Sequence, residues 1–327
     1  MATCLVTGGL GFQGTHLTSA LIKNGDVVYV LNTPAEHAKK NLEILQKHNP
    51  LVELNKNLFV IWGSIEDSSI MERLVPQCQT VFHLAAKINV DESIERPEAF
   101  FETNIKGTYN ILNWALKNKT RVILASTCEV YGGGEYLSEN SILNPRSPYA
   151  ASKAAAERIA YSYSTTYGLP VDIVRPFNVY GPLQKDGGHG AVIGIFTKKI
   201  KNDEEIQIHG DGHQGRDFIY IADVIKGYMD IYKSTPGVEA KVYTFGTGRD
   251  TSVNEIVAEL EALMNKTANK KHVEGRKGQV TTFIAKNSLR TYFDEEEVLS
   301  FKEGLRRYYN WVNDGTLELW KSLIYLT

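Results

Sequence analysis

Cysteine is scarce in this chain, and so are long apolar runs and any excess of one charge. The three cysteines, Cys4, Cys78 and Cys128, lack the spacing of a zinc site or a disulfide framework, so we expect reduced thiols and no bound metal. The 36 basic and 38 acidic side chains nearly cancel, which gives no electrostatic case for a nucleic-acid or membrane partner. No apolar run has the length that a bilayer requires, and residues 1–7 lack the charged start of a secretory signal. We therefore expect a cytoplasmic protein.

What the chain has instead is a repeated alternation of short β-branched runs and helical periods. Strand-like runs that are apolar on both faces, such as residues 27–31, are typical of a buried parallel sheet. The alternation predicts an α/β fold, in which a doubly wound parallel sheet of the Rossmann type carries a smaller interleaved α/β substrate lobe. We expect a dinucleotide-binding domain at 1–175 and 216–247 and a substrate domain at 176–215 and 248–327.

The periodicity and the turn signals also give approximate bounds for individual elements. The strands are predicted at 2–7, 27–31, 58–62, 80–84, 121–126, 171–175, 206–209 and 218–221. The helices are predicted at 11–24, 97–117, 149–167, 192–202, 222–233, 253–264 and 295–314.

A glycine-rich turn follows the first predicted strand and opens the first predicted helix. Its glycines have the spacing GxxGxxG. This spacing is typical of dinucleotide-binding turns: one glycine permits the bend, another lets the backbone approach the pyrophosphate, and the last lets helix pack on strand. The residues expected to hold a nicotinamide dinucleotide here are Gly8, Gly11, Phe12, Gln13 and Gly14.

The end of the second predicted strand bears on the choice between NAD and NADP. An acidic residue there usually binds the ribose diol of NAD, whereas this chain has Asn32. Asparagine has no charge that repels the 2′-phosphate of NADP, and Lys39 or Lys40 could reach that phosphate. Alternatively, Asn32 could hydrogen-bond the ribose hydroxyls of NAD. Both cofactors stay open, with the balance toward NADP. The rest of the cofactor groove is expected to be lined by Ser64, Ile65, Leu84, Ala85 and Ala86.

A run of chemically capable side chains follows the fifth predicted strand. Thr127, Cys128 and Glu129 come directly after it, and Tyr149 and Lys153 stand at i and i+4 of a helix, hence on one face. An ammonium beside a phenol lowers the tyrosine pKa and makes it a usable base near neutral pH. With the glycine turn, this set predicts a redox enzyme that also moves protons at a neighbouring carbon.

These motifs together resemble the extended short-chain dehydrogenase/reductase family, in its nucleotide-sugar branch of epimerases, dehydratases and decarboxylases. The likeness is carried by residues 7–14, 83–86, 126–132, 149–153 and 175–182. It implies that Thr127 hydrogen-bonds the sugar O4, that Tyr149 takes its proton and that Lys153 holds the nicotinamide ribose. It also implies a UDP-sugar substrate and a homodimer paired through the helices predicted at 97–117 and 149–167.

Cys128 and Glu129 indicate which enzymes of the nucleotide-sugar branch this chain resembles most. In the family, hexose 4,6-dehydratases carry Asp-Glu at these positions, uronate decarboxylases often carry Ser-Glu, and simple 4-epimerases usually carry small or apolar residues. Together with residues 145–153, the Cys-Glu pair is similar to C5-inverting UDP-GlcNAc 4,6-dehydratases and to the tunicamycin-pathway UDP-GlcNAc 5,6-dehydratase. We expect a UDP-GlcNAc 4,6-dehydratase, with retention or inversion at C5 open. The 5,6-dehydratase and a UDP-sugar 4-epimerase are the alternatives, while the intact Thr127, Tyr149 and Lys153 disfavour a catalytically inert dinucleotide sensor.

The same resemblance assigns substrate-binding residues. Asn178 matches the position that contacts the sugar diphosphate, Arg216 matches an arginine that binds a nucleotide phosphate, and Arg276 resembles a second one. Guanidinium groups suit this role because they bind phosphate oxygens in a bidentate manner.

Overall fold

The computed structural model describes residues 1–184, 192–275, 282–292 and 298–317 of the chain. The strands are β1 Thr3–Thr7, β2 Val27–Asn32, β3 Leu58–Trp62, β4 Thr80–His83, β5 Arg121–Ala125, β6 Gly134–Leu137, β7 Val171–Pro176, β8 Asn178–Tyr180, β9 Ile206–His209, β10 Gly215–Arg216, β11 Phe218–Tyr220, β12 Lys241–Phe245, β13 Thr251–Ser252, β14 Lys270–Val273 and β15 Phe283–Ala285.

The α-helices are α1 Phe12–Lys23, α2 Glu36–His48, α3 Ser68–Leu74, α4 Val90–Glu95, α5 Pro97–Phe100, α6 Gly107–Asn118, α7 Pro148–Tyr167, α8 Val192–Lys201, α9 Ile221–Lys233, α10 Val253–Met264 and α11 Phe301–Asp314. A π-helical segment, Phe101–Lys106, joins α5 to α6, and shorter 3-10 segments lie at Val75–Gln77, Cys128–Tyr131 and Leu289–Tyr292.

The centre of the described chain is a seven-stranded sheet in the order β12-β7-β5-β4-β1-β2-β3. Every neighbouring pair in it is parallel. The order runs outward in both directions from β1 and β4, so a crevice opens at the carboxyl ends of these strands, where doubly wound proteins bind their ligands. The predicted Rossmann-type sheet is confirmed.

Alternate residues of each strand supply the two cores of the sheet. On β1, Cys4 and Val6 join an apolar cluster with α1 and α9, whereas Leu5 joins a cluster with α6 and α7 on the opposite face. Successive side chains of a strand point to opposite faces, which explains why these strands are apolar throughout. Burial on both faces holds the carboxyl ends of the strands in fixed positions.

Several elements differ from the sequence-based bounds. Strand β12 was not predicted, because it begins at Lys241 and carries polar side chains, as outer strands do; helices α2, α3 and α4 were also missed. The helix predicted at 295–314 begins instead at Phe301, where the Ser300 side chain accepts a hydrogen bond from the Glu303 backbone. Residues 293–297 lie outside the described chain.

Smaller two-stranded sheets stand beside the main one and pair β10 with β13, β11 with β8, β14 with β9, and β15 with β6. Strand β12, from the segment 216–247, pairs with β7 in the main sheet; the proposed division into two domains stays a prediction. Among the helices of the described ranges, none combines the length and the apolar character needed to cross a membrane.

Tyr228 of α9 offers a test of packing energetics. Its side chain is fully buried beside Phe245, and its hydroxyl has no hydrogen-bond partner among the described residues. An unpaired buried hydroxyl costs about 1–3 kcal/mol, so we expect Tyr228→Phe to raise the free energy of unfolding by about 1 kcal/mol. Denaturant titration measures the difference, and a fall of that size would show that the hydroxyl has a partner such as an enclosed water.

Candidate active site

The glycine turn packs tightly against the end of β4. Gly8 has a positive φ of 70°, and a Cβ added to it would lie 2.9 Å from the Ala85 backbone nitrogen. A Cβ on Gly14 would collide with the Gly8 carbonyl oxygen, so only glycine lets α1 approach the turn. Helix α1 begins after Gly11 without a side-chain cap, which leaves its amino-terminal N–H groups available for an anion.

The turn therefore fits the pyrophosphate of a dinucleotide, and its role in binding stays a prediction. Gly8, Gly11, Phe12, Gln13 and Gly14 would hold it through their backbone. The Gln13 Oε1 atom is buried and has no hydrogen-bond partner in the part of the chain that is described. An orphaned acceptor of this kind is consistent with a site that is completed by a ligand.

Asn32 ends β2 directly behind this turn. Its Oδ1 accepts a hydrogen bond from the Leu10 backbone at 3.2 Å, and its Nδ2 donates to the Thr33 carbonyl at 2.9 Å. The amide therefore fixes the glycine turn to the strand. Lys39 and Lys40 are exposed on α2.

The end of β4 is held by a buried histidine that packs at the strand end. The two ring nitrogens of His83 lie 2.8 Å from Thr7 Oγ1 and 2.9 Å from Thr108 Oγ1. Burial, with the nearby charge of Lys153, lowers the pKa of His83 to about 3, so the ring is neutral. Thr7 Oγ1 also accepts from the Ala85 backbone, which fixes the segment after β4.

The remaining residues predicted for the groove follow β3 and β4. Leu84, Ala85, Ala86 and Ser64 are half-buried, so each has surface that a ligand can contact. Ile65 is 3% exposed and packs with its side chain into the apolar cluster beside α6. Its side chain is therefore part of the core.

Thr127, Tyr149 and Lys153 come together at the carboxyl end of β5. Tyr149 and Lys153 are 7% and 4% exposed, and Thr127 forms a side-chain hydrogen bond with Tyr149. Lys153 Nζ donates to the Ala125 carbonyl at 2.6 Å. Helix α7 starts just before Tyr149, where the Ser147 hydroxyl accepts a hydrogen bond from the Ala150 backbone. The i, i+4 spacing then places both side chains on one helix face.

The ionisation of this pair differs from the expectation. Burial raises the pKa of Tyr149, and the hydrogen bond from Thr127 only partly opposes this rise. Burial also lowers the pKa of Lys153 to about 8, against the charge of Glu157. The expected lowering of the Tyr149 pKa by Lys153 is not seen: burial dominates, and the ammonium is directed to the Ala125 carbonyl. The protein alone therefore keeps the phenol protonated at neutral pH.

Cys128 and Glu129 begin the 3-10 segment, whose start is capped by Thr127 Oγ1 at 3.2 Å from the Glu129 nitrogen. Burial raises the pKa of the Cys128 thiol well above its ordinary value, so this group keeps its proton. Burial also raises the pKa of Glu129, while the charge of Arg216 opposes the rise. The two side chains thus offer a proton donor and an adjustable carboxyl group beside Thr127.

The predicted substrate residues have different surroundings. Asn178 donates from Nδ2 to the Asp217 carbonyl at 3.1 Å, which ties β8 to the strand that follows Arg216. Arg216 is near enough to Glu129 for each charge to shift the pKa of the other, and its guanidinium stands 5.3 Å from the Phe283 ring centroid. Arg216 therefore faces the reactive side chains. Arg276 lies outside the described residues.

Asn104 is a site residue that the sequence analysis missed. It lies in the π segment and is 1% exposed. Its side chain bonds both the backbone nitrogen and the carbonyl of Lys87, and donates to Ser152 Oγ at 2.8 Å. It thereby connects the segment after β4 to α7. The π-helical break places it, and helical periodicity alone does not reveal such a break.

Comparisons with known proteins agree with this geometry. The family described as GDP-mannose 4,6 dehydratase matches residues 5–315. A UDP-N-acetyl-α-D-glucosaminuronate decarboxylase from Bacillus cytotoxicus is 35% identical over 83% of this chain and 83% of its own. A dTDP-D-glucose 4,6-dehydratase from Mus musculus is 32% identical over 97% and 90%. The crystal structure of Thermus thermophilus UDP-glucose 4-epimerase with NAD is 28% identical, with a TM-score of 0.84 over 96% and 100%.

Proposed function

The chain belongs to the GDP-mannose 4,6 dehydratase family, in the nucleotide-sugar branch of the extended short-chain dehydrogenase/reductases, and on that premise we propose that it is a UDP-GlcNAc 4,6-dehydratase. The observation that carries the proposal is the placement of Cys128 and Glu129 directly beside Thr127 and Tyr149. An enzyme that only exchanges hydride at C4 has no use for a buried thiol and a carboxyl group there.

Tyr149 and Lys153, the oxidation pair, act first together with Thr127. Thr127 hydrogen-bonds the sugar O4 and Tyr149 accepts the O4 proton, while C4 gives up its hydride. A nicotinamide dinucleotide in the groove would supply the hydride acceptor, and its oxidised ring would add a positive charge that favours the Tyr149 phenolate. Lys153, one helical turn from Tyr149, would hold the ribose of that group. The sugar then carries a ketone at C4.

Cys128 and Glu129, the elimination pair, act on the neighbouring carbons. The C4 ketone acidifies the C5 proton, which the Glu129 carboxylate removes. The C6–O bond breaks with a proton from the Cys128 thiol or from the newly protonated Glu129, so that one water leaves and a 4-keto-5,6-ene remains. Return of the hydride to C6 and of a proton to C5 gives a 4-keto-6-deoxy sugar. The face of C5 that is protonated decides retention or inversion.

Product analysis tests this assignment. Incubation with UDP-GlcNAc and NAD or NADP should give a 4-keto-6-deoxy sugar by NMR, without reduced nicotinamide accumulating in proportion to product. Hydride returned to C4 would leave a 5,6-alkene and identify a 5,6-dehydratase, whereas conversion to the C4 epimer would identify an epimerase. Either product contradicts the 4,6-dehydratase proposal, and stoichiometric reduced cofactor would indicate a simple dehydrogenase.

A uronate decarboxylase is the second candidate, because Arg216 places a positive charge near Glu129 and the Bacillus cytotoxicus relative bears that name. A guanidinium there would bind a C6 carboxylate, and the C4 ketone would promote its loss as CO2. UDP-N-acetylglucosaminuronate in place of UDP-GlcNAc separates the two: release of CO2 supports the decarboxylase.

We also propose that the enzyme is a homodimer. The outward faces of the π segment, α6 and α7 expose large aromatic side chains: Phe101 at 40%, Tyr109 at 47%, Tyr161 at 36% and Tyr167 at 59%. Such side chains are enriched where subunits meet. Light scattering after size-exclusion chromatography measures the mass, and a monomer at micromolar concentration would contradict the proposal.

Cofactor choice is expected to respond to Asn32. The Thermus thermophilus epimerase binds NAD, while the neutral Asn32 leaves room for the 2′-phosphate of NADP. Asn32→Asp keeps the acceptor for the Leu10 backbone but adds a charge that repels a phosphate. We expect the NADP/NAD ratio of kcat/KM to fall about tenfold, which corresponds to about 1.4 kcal/mol. Asn32→Ser is the control, because it removes the amide without adding charge; an unchanged ratio in Asn32→Asp would remove the argument for NADP.

A further inference from the structure

Arg175 of β7 bridges two parts of the site through one planar group. Its side chain is 2% exposed. Nε and Nη2 donate to the Glu157 carboxylate of α7 at 2.8 to 3.1 Å, and Nη1 donates to the Tyr131 hydroxyl at 3.0 Å. Helix α7 carries the oxidation pair, and Tyr131 ends the 3-10 segment that carries the elimination pair. The guanidinium therefore joins the two halves of the catalytic machinery.

The bridge is specific in its geometry. Nη1 also donates to the Glu139 carbonyl at 3.2 Å, and the guanidinium lies 5.0 Å from the Tyr131 ring centroid. Glu157 is fully buried and follows Lys153 by one helical turn. A lysine has a single ammonium and cannot form the planar fork that reaches both partners. Buried ion pairs contribute little net stability, so stability alone does not account for this arrangement.

We propose that Arg175 is a positioning residue that fixes the elimination pair relative to the oxidation pair, so that the two pairs reach adjacent carbons of one sugar. The inference rests on the proposed function, since only an enzyme that acts both at C4 and at C5–C6 needs a fixed distance between the oxidation pair and the elimination pair. Arg175 acts through Glu157 and Tyr131. A displacement of a reacting group by about 1 Å can cost about 10²-fold in rate, so loss of one anchor is expected to be measurable.

Tyr131→Phe tests the bridge, because it removes only the hydroxyl that Arg175 contacts and leaves the Arg175–Glu157 ion pair intact. After rapid mixing with UDP-GlcNAc, reduced nicotinamide should form at the wild-type rate, since α7 is unchanged. Its decay should slow about tenfold or more, so reduced cofactor accumulates, while KM stays the same. Arg175→Lys, which keeps the charge but not the fork, should show the same split between the two phases.

The matched control is Tyr228→Phe, which removes another buried tyrosine hydroxyl, one that bonds none of the three bridge residues, and should leave both phases unchanged. Equal slowing of both phases in Tyr131→Phe, with a lower unfolding midpoint, would reduce Arg175 to a structural role. Two unchanged phases would also overturn the inference. Failure of the proposed function is distinct: it appears as a different wild-type product. In that case, formation and decay of reduced nicotinamide are measured again in Tyr131→Phe with UDP-glucose or with UDP-N-acetylglucosaminuronate. The substrate chosen is the one with which the wild type forms reduced nicotinamide.

Discussion

Tyr149→Phe is expected to bind dinucleotide and UDP-sugar normally and to lose hydride exchange at C4 by about 10³-fold, within the range typical of a lost general base. The phenol is the group beside Thr127 that can take the O4 proton. Phenylalanine preserves the edge-to-face contact with Phe100, whose ring centroid lies 6.4 Å away. Formation of reduced nicotinamide on mixing with UDP-GlcNAc measures the first step, and calorimetry measures binding.

Tyr163→Phe supplies the control for this experiment. Tyr163 lies on the same helix, is half-buried against the cluster beside α6 and should tolerate the change without loss of rate. If Tyr149→Phe kept more than about a tenth of the wild-type rate, a loss far below that typical of a general base, the proton would have another acceptor and the assignment would be wrong.

Glu129→Gln is expected to separate the two halves of the reaction. The amide preserves the shape of the side chain but cannot remove the C5 proton, so oxidation at C4 continues and reduced cofactor accumulates. Dehydration should fall by about 10³-fold. In deuterated solvent the wild type should incorporate deuterium at C5, and the variant should not. Glu98→Gln on the exposed surface of α5 serves as the control.

Exchange at C5 at the wild-type rate in Glu129→Gln would remove Glu129 from the mechanism and show that another group takes the C5 proton. Cys128 can be tested in the same assay. Cys128→Ala should slow elimination more than oxidation, by about 10²-fold if the thiol is the acid, and Cys128→Asp should restore part of the rate. Equal slowing of both steps in Cys128→Ala would assign the thiol to packing, in keeping with its position among Val130, Phe177 and Phe283.

The sheet and the location of the site could be predicted because both depend on local pattern. Strands that are buried on both faces show as unbroken β-branched runs, and β3 and β9 have the predicted bounds. Strand β12 could not be recognised, since Lys241 and Thr244 interrupt its apolar pattern. The family-level resemblance is confirmed, because the family model matches residues 5–315. The exact substrate stays a proposal.

The contacts between the side chains of the site could not be predicted from the sequence. Thr127, Tyr149 and Lys153 meet as predicted, yet the pKa of Tyr149 moves in the opposite direction, because burial outweighs a neighbouring ammonium that is directed elsewhere. The partnership of Arg175 with Glu157 and Tyr131 joins residues 18 and 44 positions apart. Residues this far apart in the chain do not recur at a helix or strand period, so the sequence pattern does not reveal that they pair.

The π-helical segment between α5 and α6 makes this region sensitive to chain length as well as to side-chain chemistry. A π turn accommodates one residue more than a regular α-helix. Deleting one residue of Phe101–Lys106 would let the hydrogen-bond ladder close as a continuous α-helix, with the flanking turns close to their present orientation. Asn104 would then lose the position from which it bonds Lys87 and Ser152, whereas Phe100 would stay against Tyr149. A deletion in the regular helix α6 would instead rotate the residues before it by about 100°, so the consequence of losing one residue depends on which side of Gly107 it falls.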